Sequence, residues 1–170
     1  MQNGTWLPAA RAIAPFALTD HLGQPFGNAR LQGHPSLLFF GFTHCPDVCP
    51  TTLALLSQLQ RTQPLPGLQL LFVTVDPQRD DPVTLQRYVN AFGSDWVGLR
   101  GADPQLDSLL HSLSAVRFVQ DTPGGSYTVD HSSTLYLIDG KGQLAAVFTP
   151  PFALPALESD LRQAARALDQ

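Results

Sequence analysis

The chain has 170 residues, 44% of them apolar, with a formal charge of −4 and a pI near 5.6. That length suits one domain with a core large enough to fold without a metal or disulfide, and the scattered cations exclude a nucleic-acid partner. No stretch approaches the roughly 18 consecutive apolar residues of a membrane span, and the first fifteen residues lack the apolar core of a secretory signal. Fifteen prolines and thirteen glycines punctuate many short elements. Residues 1–15 read as a loosely ordered lead-in and residues 16–170 as a single domain. Phe16 to Phe26 reads as a hairpin turning near Leu22-Gly23, and the apolar run Ser36 to Phe42, too short for a helix, as a buried central strand. A helical stripe of leucines follows from Pro50 to Arg61. Leu68 to Val75 is a second buried strand, ended by Asp76-Pro77. Pro82 to Phe92 is a helix capped by Asp81, Trp96 to Leu99 a brief strand, and Asp103 to Leu113 a helix opened by Asp103-Pro104. After Arg117 to Val119 and a Gly124-Gly125 turn, Thr134 to Ile138 and Leu144 to Phe148 form a hairpin around Asp139-Gly140-Lys141-Gly142. Pro155 to Leu168 closes the chain as an amphipathic helix. This order predicts an α/β fold, a mixed sheet with helices on both faces.

The chain has two cysteines, both in Gly41-Phe42-Thr43-His44-Cys45-Pro46-Asp47-Val48-Cys49-Pro50, between a predicted strand and a predicted helix. Two thiols at such a place can close a disulfide or chelate a soft metal, but not both at once, because the metal needs the thiolates that a disulfide consumes. In a regular helix their Cβ atoms would stand about 5–6 Å apart, against about 3.8 Å for a disulfide. Pro46 and Pro50 bias the residues before them away from helical angles, placing Cys45 in the loop and Cys49 at the helix start, so both outcomes stay open. The positive end of the helix favours thiolates, and Asp47 complements it. A metal site needs at least one more ligand. Of His21, His34, His44, His111 and His131, the last stands just ahead of a strand in a loop expected to face the helix start. Two sulfurs and one imidazole suit Cu(I), or Cu(II) with an added ligand, whereas zinc would demand a fourth donor. His44 reads as a tuner of the thiols rather than a ligand. Asp76, at the C-terminal end of a strand, reads equally as a site residue or a turn former. Asp130 is placed to orient His131, with a solvated loop carboxylate as its plainer role.

The run GFTHCPDVCPTTL, the later VTVDPQRDDP from Val73 to Pro82 and VDHSSTLYLID from Val129 to Asp139 together resemble the Sco (SenC/PrrC) family over about Phe16 to Phe152. These are copper proteins with a thioredoxin-like fold that serve assembly of the binuclear copper centre of cytochrome c oxidase. The resemblance implies a thioredoxin-like mixed sheet with an N-terminal β-hairpin extension, and Cys45, Cys49 and His131 as copper ligands. It further implies a copper-accepting oxidase subunit or another copper chaperone as partner, and a bacterial periplasmic location with an N-terminal membrane tether. The chain departs from the family pattern at Gly33-His34, where members commonly carry Gly-Lys, and in the short Gly-rich segment between Arg117 and Tyr127.

Copper delivery is therefore the first functional expectation. A thiol–disulfide oxidoreductase cycling Cys45 and Cys49, or a redox or copper sensor, uses the same residues. Against a general oxidoreductase, the spacing is Cys-x-x-x-Cys, no tryptophan precedes Cys45 and no proline precedes the Thr134 strand. A peroxiredoxin would carry threonine where this chain has Phe42.

Overall fold

The computed structural model describes residues 1–45, 48–121, 127–131 and 133–168, with Thr128 and Asp130 described in their backbone only. The predicted dipole role of Asp47 and the Gly124-Gly125 turn lie outside the described residues. The strands are β1 (Gly4–Ala12), β2 (Ala17–Asp20), β3 (Pro25–Gly27), β4 (Ser36–Gly41), β5 (Gln69–Thr74), β6 (Trp96–Arg100), β7 (Arg117–Asp121), β8 (Tyr127–His131), β9 (Leu135–Ile138) and β10 (Gln143–Phe148). The helices are α1 (Val48–Gln60), α2 (Pro82–Phe92), α3 (Asp103–Ser112) and α4 (Leu154–Leu168).

Eight strands form one mixed sheet in the order β1-β10-β9-β4-β5-β6-β2-β3, with β4, β5 and β6 parallel. The buried positions of β4 and β5 are apolar apart from Ser36 and Thr74, because both faces of these strands are covered. Leu37 and Phe39 of β4, with Leu70 and Phe72 of β5, pack in one cluster with Leu53 and Leu56 of α1, Leu85 of α2 and Leu157 and Leu161 of α4. Leu38, Phe40, Leu71 and Val73 pack in the other with Leu106, Leu109 and Leu110 of α3. The alternation follows from the two-residue period of a strand. The mixed α/β sheet with helices on both faces, and the N-terminal hairpin, are as predicted; β2 joins the sheet through β6.

Turn chemistry appears where the sequence announces it. Asp20 Oδ1 accepts from the Leu22 and Gln24 N–H groups, both at 2.9 Å, beside Gly23 at φ +83°. Asp139 Oδ1 does the same for Lys141 and Gln143 at 2.9 and 3.0 Å. Asp81 caps α2 by accepting from the Thr84 N–H at 2.8 Å. For α3 the expected cap differs: Ala102 holds that position, while Asp103 enters the first turn and pairs with Arg117 at 3.0 Å.

Two expectations are corrected. Residues 4–12, read as part of a loose lead-in, form edge strand β1 on β10, with its register shifting between Trp6 and Arg11. The start of β1 is fixed by Asp160 of α4, whose carboxylate accepts from the N–H groups of Gln2, Asn3 and Gly4 at 2.6, 2.6 and 2.9 Å. An exposed edge strand has no buried face to print an alternation on the sequence, so pairing with β10 alone decides it. His131, expected in a loop, is the last residue of β8, which pairs with β7 in a separate two-stranded ribbon.

Candidate metal centre

The site forms where three elements meet at the C-terminal edge of β4 and β5. β4 delivers the chain into the loop carrying Cys45, whose N–H donates to the Phe42 carbonyl at 3.1 Å. α1 begins at Val48, so Cys49 is its second residue and Pro50 its third, a first-turn position that tolerates proline. Cys49 is fully buried and Cys45 half-buried, and both are free thiols. β8 brings in His131, whose Nε2 lies 3.9 Å from Cys49 Sγ. The two sulfurs and one imidazole nitrogen all lie within 4.8 Å of one another.

Packing fixes this arrangement. The His131 ring stands edge-on to Phe42 and Phe39, with centroids 5.8 and 6.2 Å away. At Gly41 a Cβ would lie 2.7 Å from Cys49 Sγ and 2.7 Å from the Phe72 ring, so only a glycine leaves room for that sulfur. The ribbon is held to the sheet through both strands. Arg117 of β7 donates to the Val75 carbonyl at 2.9 Å and pairs with Asp103 and Asp107. From β8, the Tyr127 hydroxyl donates to Asp76 Oδ1 at 2.9 Å.

The thiols divide one proton unequally. A hydrogen bond from Cys49 brings the Cys45 thiol down to about 4, with burial opposing and the His131 contact assisting. The same contact with Cys45, reinforced by burial, pushes the Cys49 thiol up. Cys45 is thus the more readily ionised thiol of the metal-free pair, and the contact with Cys49 is the largest cause of its lowering. Two soft sulfurs and one imidazole can hold a soft metal ion, or the sulfurs can close on each other.

Of the six predicted residues, the structure brings Cys45, Cys49 and His131 together. His44 is exposed, its Nδ1 3.4 Å from Thr43 Oγ1, and is not in the group. Asp76 is buried, accepting from Arg79 Nε at 2.5 Å as well as from Tyr127, and so braces the strand that carries His131. The side chain of Asp130 lies outside the described residues. Sequence reasoning missed Tyr127, Arg79 and Asp80. The Arg79 guanidinium lies over the Tyr127 ring at 3.8 Å, and Asp80 accepts from Thr43 and Thr74. Thr74, a polar residue closing the apolar run Leu70 to Val73, is the one signal in the sequence that points toward Asp80.

The SCO1/SenC family matches residues 6–166 of the chain. The chain belongs to this family. A putative copper-binding protein of Stutzerimonas stutzeri is 38% identical over 164 residues, covering 95% of this chain and 80% of that protein. The human mitochondrial SCO2 homolog is 39% identical over 141 residues, covering 79% of this chain and 52% of its own length. Among solved structures, copper-bound yeast Sco1 superposes with a TM-score of 0.84 at 30% identity, covering 92% of this chain and 90% of that one. Apo Sco1 from Thermus thermophilus gives 0.85 at 32% identity, covering 96% and 97%. The thioredoxin-like architecture of this SCO1/SenC chain is that of these Sco structures.

Proposed function

We propose that this SCO1/SenC protein binds copper through Cys45, Cys49 and His131 and delivers it to, or prepares, the binuclear copper site of cytochrome c oxidase. The observation that carries the reading is the convergence of two sulfurs and one imidazole within 4.8 Å from three separate elements. Such a donor set is soft, satisfies a three-coordinate Cu(I), and leaves room for an added ligand around Cu(II). The copper bound in solved Sco structures, and the copper-binding name of the Stutzerimonas relative, support the choice of metal. Cys45 would lead because it is the more readily ionised thiol, and Cys49 would release its proton on metal binding. The partner would be a copper-accepting oxidase subunit or another copper chaperone, at the periplasmic face of a bacterial membrane. No helix among the described residues is long and apolar enough to cross that membrane.

Titration of the reduced chain with Cu(I) and Cu(II) tests the reading. One copper per chain is expected, with thiolate-to-copper charge-transfer absorption for Cu(II), lost in Cys45→Ser and Cys49→Ser. Copper binding that survives in either variant would refute it.

A second reading, a thiol–disulfide oxidoreductase acting on partner cysteines, draws support from the lowered Cys45 thiol beside a buried Cys49. Cys45 would attack a partner disulfide and Cys49 would resolve the mixed disulfide, leaving the partner as dithiol and this pair oxidised. His131 separates the readings. His131→Ala is expected to abolish tight copper binding and spare disulfide cycling, and equal loss of both would contradict that division.

A further inference from the structure

Asp80 is a carboxylate that the ligand set does not use, and it is 0% exposed. Its oxygens accept from the Thr43 N–H at 3.0 Å, Thr43 Oγ1 at 2.5 Å and Thr74 Oγ1 at 2.6 Å. All three donors are neutral, and among the described residues no cationic side chain forms an ion pair with this carboxylate. The nearby Arg100 guanidinium donates to the Asp80 carbonyl at 3.1 Å and not to its carboxylate. A buried carboxylate outside any ion pair is costly, and a link between Thr43 and Thr74 could be made by a neutral amide.

The position of this charge suggests its use. Thr43 stands two residues before Cys45, and Thr74 pairs in register with Gly41, against which the Cys49 sulfur packs. The carboxylate therefore lies under the loop that carries Cys45 and leads into Cys49 at the start of α1.

Resting on the copper reading above, we propose that Asp80 is a specificity-determining residue whose buried negative charge favours a divalent over a monovalent ion in the Cys45–Cys49–His131 site. With both thiols ionised and the imidazole neutral, the ligands carry two negative charges. A divalent ion neutralises them, and a monovalent ion leaves one in excess beside Asp80. The carboxylate attracts a divalent ion by one further unit of charge, an advantage on the order of tenfold at a separation of roughly 10 Å and an effective dielectric near 20.

Titration of the reduced, metal-free chain with Ag(I) and Co(II) tests this, because these ions differ in charge and leave the thiols unoxidised. Asp80→Asn keeps the shape: its oxygen accepts from the Thr43 N–H and Thr74 hydroxyl, and its NH₂ donates to the Thr43 hydroxyl. The variant is expected to lose about tenfold more affinity for Co(II) than for Ag(I). Asp80→Glu retains the charge and is expected to keep the Co(II)-to-Ag(I) ratio of the unaltered chain even where both affinities fall. Losses by the same factor for both ions in Asp80→Asn, or an equal change of ratio in Asp80→Glu, would overturn the inference. Should Asp80→Asn fail to fold, Asp80→Ser, which also removes the charge, is read in its place against the same expected tenfold difference between Co(II) and Ag(I). An unaltered chain that binds neither of these ions nor Cu(I) would overturn the metal reading itself, a result distinct from binding with an unchanged ratio.

Discussion

Gly41 shows how a single residue sets the site. Its missing side chain is the space in which the Cys49 sulfur rests, 2.7 Å from where a Cβ would stand. Gly41→Ala must displace either that sulfur or Phe72, both fully buried, at a cost of about 1–3 kcal/mol. Copper affinity is expected to fall at least tenfold, alongside a lower Tm; competition with a Cu(I) chelator and thermal unfolding measure the two. Pairing Gly41→Ala with Phe72→Leu is expected to recover the Tm and leave the copper affinity impaired. Tyr127 acts one layer further out. Tyr127→Phe removes the hydrogen bond to buried Asp76, worth about 1 kcal/mol or more because the acceptor is charged, and should weaken copper binding without abolishing it. Unchanged copper affinity would mean that the Tyr127–Asp76 bond does not set the position of His131.

Among elements, the β7–β8 ribbon is the one most exposed to loss. It lies outside the main sheet and is fixed through Arg117 and Tyr127 to Val75 and Asp76. Arg117→Ala strips both ion pairs and the bond to the Val75 carbonyl, so amide exchange across Tyr127–His131 is expected to accelerate while β4 and β5 stay protected. Equal acceleration in the central strands would show that the ribbon is not an independent unit. The cap of α2 carries a pH dependence. Hydrogen bonding to the Thr84 N–H holds the Asp81 carboxyl below its usual value. Its stabilisation is therefore fully present above about pH 4 and is lost as pH falls through the lowered native value. Asp81→Ala should lower the Tm at neutral pH by a few degrees and flatten the acid limb of the stability profile; a steeper limb would contradict the assignment.

At the scale of the whole molecule, Asp160 joins the two ends of the described chain. It is 1% exposed and receives three N–H groups from residues 2–4, so α4 and β1 share one buried anchor. Asp160→Ala leaves those donors without their acceptor and is expected to cost about 3 kcal/mol in chemical denaturation. The anchor lies at the β1 edge of the sheet, three strands from β4, so copper stoichiometry should be unchanged. Loss of stoichiometry would mean that the anchor also sets the site.

What the sequence by itself determined is local. The buried runs of β4 and β5, the Asp81 cap, the Asp20 and Asp139 turns and the family motifs are written in residues close together in the chain, where propensity and hydrogen bonding act over a few positions. What only the tertiary structure decided is long-range: β1 on β10, the ribbon that turns His131 from a loop residue into a strand residue, the Tyr127–Asp76 brace, and Asp80 beneath the cysteine loop. The pairing of β1, the Tyr127–Asp76 brace and the Asp80 bonds each join residues tens of positions apart or more, and the ribbon takes its place through its bonds to Val75 and Asp76. The unequal sharing of a proton by Cys45 and Cys49 belongs with them, because it arises from the distance between two sulfurs and the depth at which each is held.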